Sequence, residues 1–84
     1  MTRTHDLNRA ILTKLDGANP YTYPEEQLLE ELQTLLSPPV GRAEFDEAML
    51  FLQSRKAVAT VPDGLDPDLV RWTITSVGKS LLAQ

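Results

Sequence analysis

The order of patterns across residues 42–82 constrains the fold of this chain more than any other feature. Phe45, Ala48, Met49 and Leu52 recur at helical spacing and predict a helix over residues 42–55. Residues 57–61, Ala-Val-Ala-Thr-Val, read as a strand, and Val70, Trp72 and Ile74 alternate, so a second strand over 70–74 buries one face. Between them Pro62-Asp63-Gly64-Leu65-Asp66-Pro67-Asp68 has the composition of a loop. Thr75 is placed to cap a last short helix carrying Val77, Leu81 and Leu82. Helix, strand, loop, strand and helix in that order predict an α+β domain with an antiparallel hairpin.

The first half supplies two more helices. Leu7, Ile11 and Leu15, with Ala10 beside them, form one stripe over residues 6–16. Thr4 or Asp6 could cap its start, and Gly17 with Asn19-Pro20 ends it. Tyr21-Thr22-Tyr23 favours a short strand, with one tyrosine inward and one toward solvent. Pro24 suits the first position of the next helix, where Glu25 and Glu26 complement the dipole. Leu28, Leu29, Leu32, Leu35 and Leu36 share its apolar face, and two prolines, Pro38 and Pro39, stop it. That stripe lasts too few heptads for a coiled coil and reads as core.

Eighty-four residues make one domain near the lower limit for unaided folding, so association with another chain would help. The chain has no cysteine, hence no disulfide framework and no thiolate metal site. Its first residues lack the apolar run of a signal peptide, and no run is long enough to span a membrane. The expected location is the cytoplasm.

In order and spacing, residues 6–82 resemble the winged helix-turn-helix superfamily. The tail carries the resemblance: an aromatic, Trp72, in a strand, then Ile74-Thr75, then Gly78, then Leu81-Leu82. It is similar to the strand-to-helix ending of the MarR-like and PadR-like bacterial regulators. A second marker is the end of the third helix, where Met49 and Leu52 precede the basic pair Arg55-Lys56 and then Val58. The resemblance implies a three-helix core, a two- or three-stranded antiparallel wing and a short C-terminal helix. On that reading residues 1–84 form a single winged-helix domain, with residues 1–5 mobile and 62–68 as the wing loop. The third helix would be the recognition helix, presenting Arg42, Ala43, Asp46, Glu47 and Leu50 to the major groove, while residues 63–68 and Arg71 reach phosphate.

The charges run against that role. Residues 42–54 hold one base, Arg42, and three acids, Glu44, Asp46 and Glu47, a balance of −2. Residues 62–68 hold three acids and no base, and the whole chain carries −4. Phosphate affinity comes mainly from Lys and Arg, and base readout from Arg, Lys, Asn and Gln. The turn before the third helix is also longer than the usual three or four residues. With Phe45, Met49 and Leu52 inward, Leu50 points outward near Ala43 and Glu47, and Phe51 lies on the flank. A neighbouring element could cover Phe51, but an outward Leu50 fits a protein contact. The favoured expectation is a non-enzymatic binding module that recognises itself or a protein partner through Ala43, Glu47, Leu50 and Phe51. The alternative is a duplex-DNA-binding regulator using Arg42, Arg55, Lys56 and Arg71.

Catalysis has little support. His5 is the sole histidine and lies at the terminus, and the four glycines are scattered singly, so no phosphate loop exists. Asp63, Asp66 and Asp68 do not have the spacing of a calcium loop and read as turn residues. Trp72, alternating with Val70 and Ile74, reads as core rather than as a stacking platform. No cofactor, metal or small-molecule ligand is expected.

Overall fold

The computed structural model describes residues 2–62, 64–66 and 68–84. Asp63 and Pro67 of the expected wing loop, and Met1, lie outside the described residues. Four helices and three strands follow in the order α1 (Arg3–Ala18), β1 (Tyr23–Pro24), α2 (Glu25–Leu35), α3 (Arg42–Ser54), β2 (Val58–Pro62), β3 (Val70–Ile74) and α4 (Ser76–Leu82).

Helix α1 buries Leu7, Ile11, Leu12 and Leu15. It starts three residues before the expected Asp6, capped by Thr2, whose hydroxyl accepts the His5 N–H at 3.1 Å. The early start has a tertiary cause. The Arg3 guanidinium donates to both carboxylate oxygens of Glu44, at 2.8 and 3.1 Å, and to the Pro38 carbonyl at 2.7 Å. Gly17 does not end the helix, because no left-handed conformation is adopted there; the stop is Asn19, held extended before Pro20.

Helix α2 buries Leu28, Leu29 and Leu32, and Leu36 packs partly on the core. Pro24 is its cap rather than its first turn. Leu35 departs from the expected stripe and is 55% exposed. With Leu36 it borders a shallow groove against Asp6, Arg9, Ala10, Thr13 and Lys14 of α1. The long turn into α3 is fixed by Val40, buried in the core, whose carbonyl accepts from the Gln33 amide at 3.1 Å.

Phe45, Ala48, Met49 and Leu52 of α3 are buried, as the periodicity predicts. The sheet is antiparallel with order β1-β3-β2. Tyr23 pairs with Trp72, and Val58 with Ile74. Trp72, Ile74 and Val58 face inward, so Arg71 and Thr73 take the outer side of the sheet. Thr75 caps α4, accepting the Gly78 N–H at 3.2 Å. Gly78 is the buried residue of α4, and Leu82 packs partly on the core as expected, while Val77 and Leu81 remain exposed. No helix among the described residues is long and apolar enough to cross a membrane.

Candidate interaction surface

Three elements meet on one side of the molecule: the N-terminus of α2, the outward face of α3, and β3. Arg42 joins them. Its Nη2 donates to Glu25 Oε2 at 2.7 Å, its Nη1 lies 3.4 Å from Glu26 Oε1, and its Nε lies 3.2 Å from Asp46 Oδ1. The guanidinium also sits over the Phe45 ring, 5.7 Å from the centroid. The hydrogen bond to Glu25 leads in raising the Arg42 pKa, assisted by the charges of Glu25, Asp46 and Glu26. The single base near the start of α3 is thus held by three carboxylates.

Glu25 has a second role. Its Oε1 accepts the Trp72 indole N–H at 3.2 Å, which ties β3 to the start of α2. Trp72 is buried, as its alternation predicts, and its polar atom is satisfied. Glu25, Asp46, Met49, Leu50, Gln53 and Trp72 line a slot of about 330 Å³ between α3 and β3.

Among the expected protein-contact residues, Ala43, Glu47 and Leu50 are exposed on the outer side of α3, and Leu50 is 67% exposed. Phe51 lies on the flank, where it shares a cleft with Glu47; it is 46% exposed, under the Arg55 guanidinium at 5.3 Å from its centroid. It borders a cleft with Thr4, His5, Asn8 and Leu81, so terminal helices cover it in part.

The basic residues expected for the nucleic-acid alternative are dispersed. Arg42 is at the start of α3 and Arg55 at its end, over Phe51. Lys56 follows in a left-handed conformation, φ 61°, and its carbonyl accepts the Thr75 hydroxyl at 2.6 Å at the foot of the hairpin. Arg71 pairs with Val61, three residues up the β2 ladder from Val58, so the structure does not gather it with Lys56. In the loop, Asp66 Oδ1 accepts the Asp68 N–H at 3.0 Å, which is turn chemistry. No three His, Asp or Glu side chains among the described residues are placed to hold a metal ion.

Sequence reasoning missed the carboxylate cage. The Arg42–Asp46 pair was legible at i,i+4, but Glu25 and Glu26 come from another helix, 17 and 16 residues earlier. No local spacing announces that contact.

No protein-family model matches the sequence, nor does any curated protein. Solved structures do match the backbone. ZitR of Lactococcus lactis, in a doubly substituted apo form, superposes with a TM-score of 0.75 at 18% identity, over 95% of this chain and 54% of its own. AdcR, the adhesin competence repressor of Streptococcus pyogenes, gives 0.74 at 18% identity, over 99% of this chain and 53% of its own. TA0346 of Thermoplasma acidophilum, a provisionally assigned transcriptional regulator, gives 0.78 at 16% identity, over 98% of this chain and 80% of its own. With the element order and sheet already described, these likenesses decide the architecture. The fold is a winged helix-turn-helix. In this winged helix α2 and α3 form the helix-turn-helix, β2 and β3 the wing, and β1 the third strand at the edge of the wing sheet. The chain spans about half the length of ZitR and AdcR.

Proposed function

We propose that this domain is a transcription-regulator-type module that docks on duplex DNA through α3 and the wing. The observation that carries the reading is the superposition of nearly the whole chain on a named repressor and on a provisionally assigned transcriptional regulator. The reading reverses the preference drawn from the acidic charge and the outward Leu50. It assigns phosphate contacts to Arg42, Arg55, Lys56 and Arg71, with α3 entering the groove and α2 crossing the backbone. Arg42 must exchange carboxylate for phosphate to take part, so docking is weak.

Duplex titration by fluorescence anisotropy at several salt concentrations tests this. Four phosphate contacts give a log–log salt slope of about −3.6 at most, and a Kd on the order of 10⁻⁴–10⁻⁶ M. Removing two of the three charges that hold it, with Glu26→Gln and Asp46→Asn, leaves Arg42 only Glu25 and tightens the complex. Absence of binding even at low salt, or a cage variant that binds no better than the parent, rejects the reading.

A second reading rests on one specific observation, Leu50 standing exposed among carboxylates on α3. It makes the same face a protein-docking surface, with Ala43, Glu47 and Leu50 at its centre and Phe51 on its flank. A Leu50→Glu variant would then lose partner binding or self-association while keeping its fold.

A further inference from the structure

The slot between α3 and β3 is apolar at its floor and acidic at its rim. Met49 and Trp72 are buried beneath it, and Leu50 forms an exposed wall. Glu25 and Asp46 stand at the side nearest Arg42, and Gln53 lines the slot further along α3. Its volume of about 330 Å³ falls in the range of small-ligand and side-chain pockets. Anions are poor occupants, because two carboxylates face them in a chain of net charge −4. Glu25, Glu26 and Asp46 share the single positive charge of Arg42, so this side of the slot keeps an excess of negative charge that a purely apolar occupant would not offset. The group that suits both parts has a hydrocarbon stem and a cationic head, which describes a lysine or arginine side chain.

The molecule already makes this type of contact once. The Arg42 guanidinium occupies Glu25 and Asp46 from the side of the helix start, while its flat face lies on an aromatic ring. A cation entering from solvent would share those same carboxylates.

We propose that this slot receives a lysine or arginine side chain from a basic, leucine-bearing segment of a partner protein. Leu50 supplies the apolar contact beside the inserted cation. This deepens the protein-docking reading and rests on it. Such a partner and a duplex would compete for one face, with opposite demands on its charge.

The test uses a 14-residue helical peptide of alternating leucine and lysine blocks, and a matched leucine and glutamate peptide. Trp72 is the sole tryptophan, so its indole N–H resonance is a single reporter at the slot. The expected result is a saturable shift of that resonance by the lysine peptide and none by the glutamate peptide. The pair Glu25→Gln and Asp46→Asn keeps an acceptor for the indole yet weakens the lysine peptide about tenfold, the loss expected for charge-assisted hydrogen bonds. The same pair would strengthen duplex binding, which separates this effect from unfolding. Peptide binding that is lost with Leu50→Glu but indifferent to the carboxylates overturns the slot and leaves protein docking standing. No binding of either peptide overturns both.

Discussion

Lys56 occupies a position that favours glycine. It follows the C-cap of α3 with φ 61°, and the chain closes the helix there with two hydrogen bonds: Ala57 N–H to the Leu52 carbonyl at 2.9 Å and Lys56 N–H to the Gln53 carbonyl at 3.0 Å. That is the Schellman arrangement, with its apolar contact formed by buried Leu52 and Ala57. A left-handed conformation costs a residue with a side chain about 1–2 kcal/mol, and glycine adopts it freely at some entropic cost in the unfolded chain. Lys56→Gly should therefore raise stability by a net ~0.5–1 kcal/mol in urea denaturation. If Lys56 meets phosphate, the same variant should make the duplex salt slope shallower by about 0.9. Higher stability with an unchanged slope would remove Lys56 from the docking surface. The motif was not legible in the sequence, since helix ends are recognised by a glycine or asparagine and this one carries neither.

At the scale of elements, the helices α1 to α3 and both wing strands were legible because each has a long enough period to set its inward face. What tied them together was not. The start of α1 depends on Arg3 reaching Glu44, 41 residues away, and α4 is too short for its stripe to choose a face. Its seat is a missing side chain. A Cβ on Gly78 would collide with the Ala57 carbonyl oxygen and lie 2.7 Å from Ile74 Cγ1, and that carbonyl already accepts the Thr75 N–H at 3.0 Å. The backbone there cannot yield, so Gly78→Ala should cost about 1–3 kcal/mol, as overpacking does. Val77→Ser, on the exposed side of the same helix, should change stability by less than about 0.5 kcal/mol. Equal effects of the two substitutions would show that α4 docks by another face. For the candidate surface, the outward position of Leu50 was legible from the α3 period, whereas the slot was not, because Glu25 and Trp72 reach it from separate elements.

At the scale of the whole molecule, two ion-paired carboxylates and one phenol hold elements distant in sequence, and each adds a pH dependence to the stability of the fold. Glu31 of α2 accepts from the Tyr23 hydroxyl of β1 and from Lys14 Nζ of α1, the latter at 3.0 Å. The tyrosine hydrogen bond leads, with the lysine second, in holding the Glu31 carboxyl below its ordinary value of 4.5. Hydrogen bonding from Arg3 does the same for Glu44 and links α3 to α1. A depressed carboxylate contributes fully above its unfolded value and loses that contribution as pH falls through the folded one. Tyr23 has the opposite sign. Burial, then the hydrogen bond to Glu31, pushes its phenol from 10.0 up to about 12, so its contribution is whole below 10.0 and disappears as pH rises toward about 12. The melting temperature should therefore be level between the two limits, fall below about pH 4.5 and fall again above about pH 10. In Tyr23→Phe the alkaline fall specific to this phenol disappears, and the acid fall shrinks, because Glu31 loses its leading partner. Thermal scans across pH on the two proteins decide it. An alkaline limb that survives unchanged in Tyr23→Phe would show that the strand-to-helix link through Glu31 does not set the upper boundary.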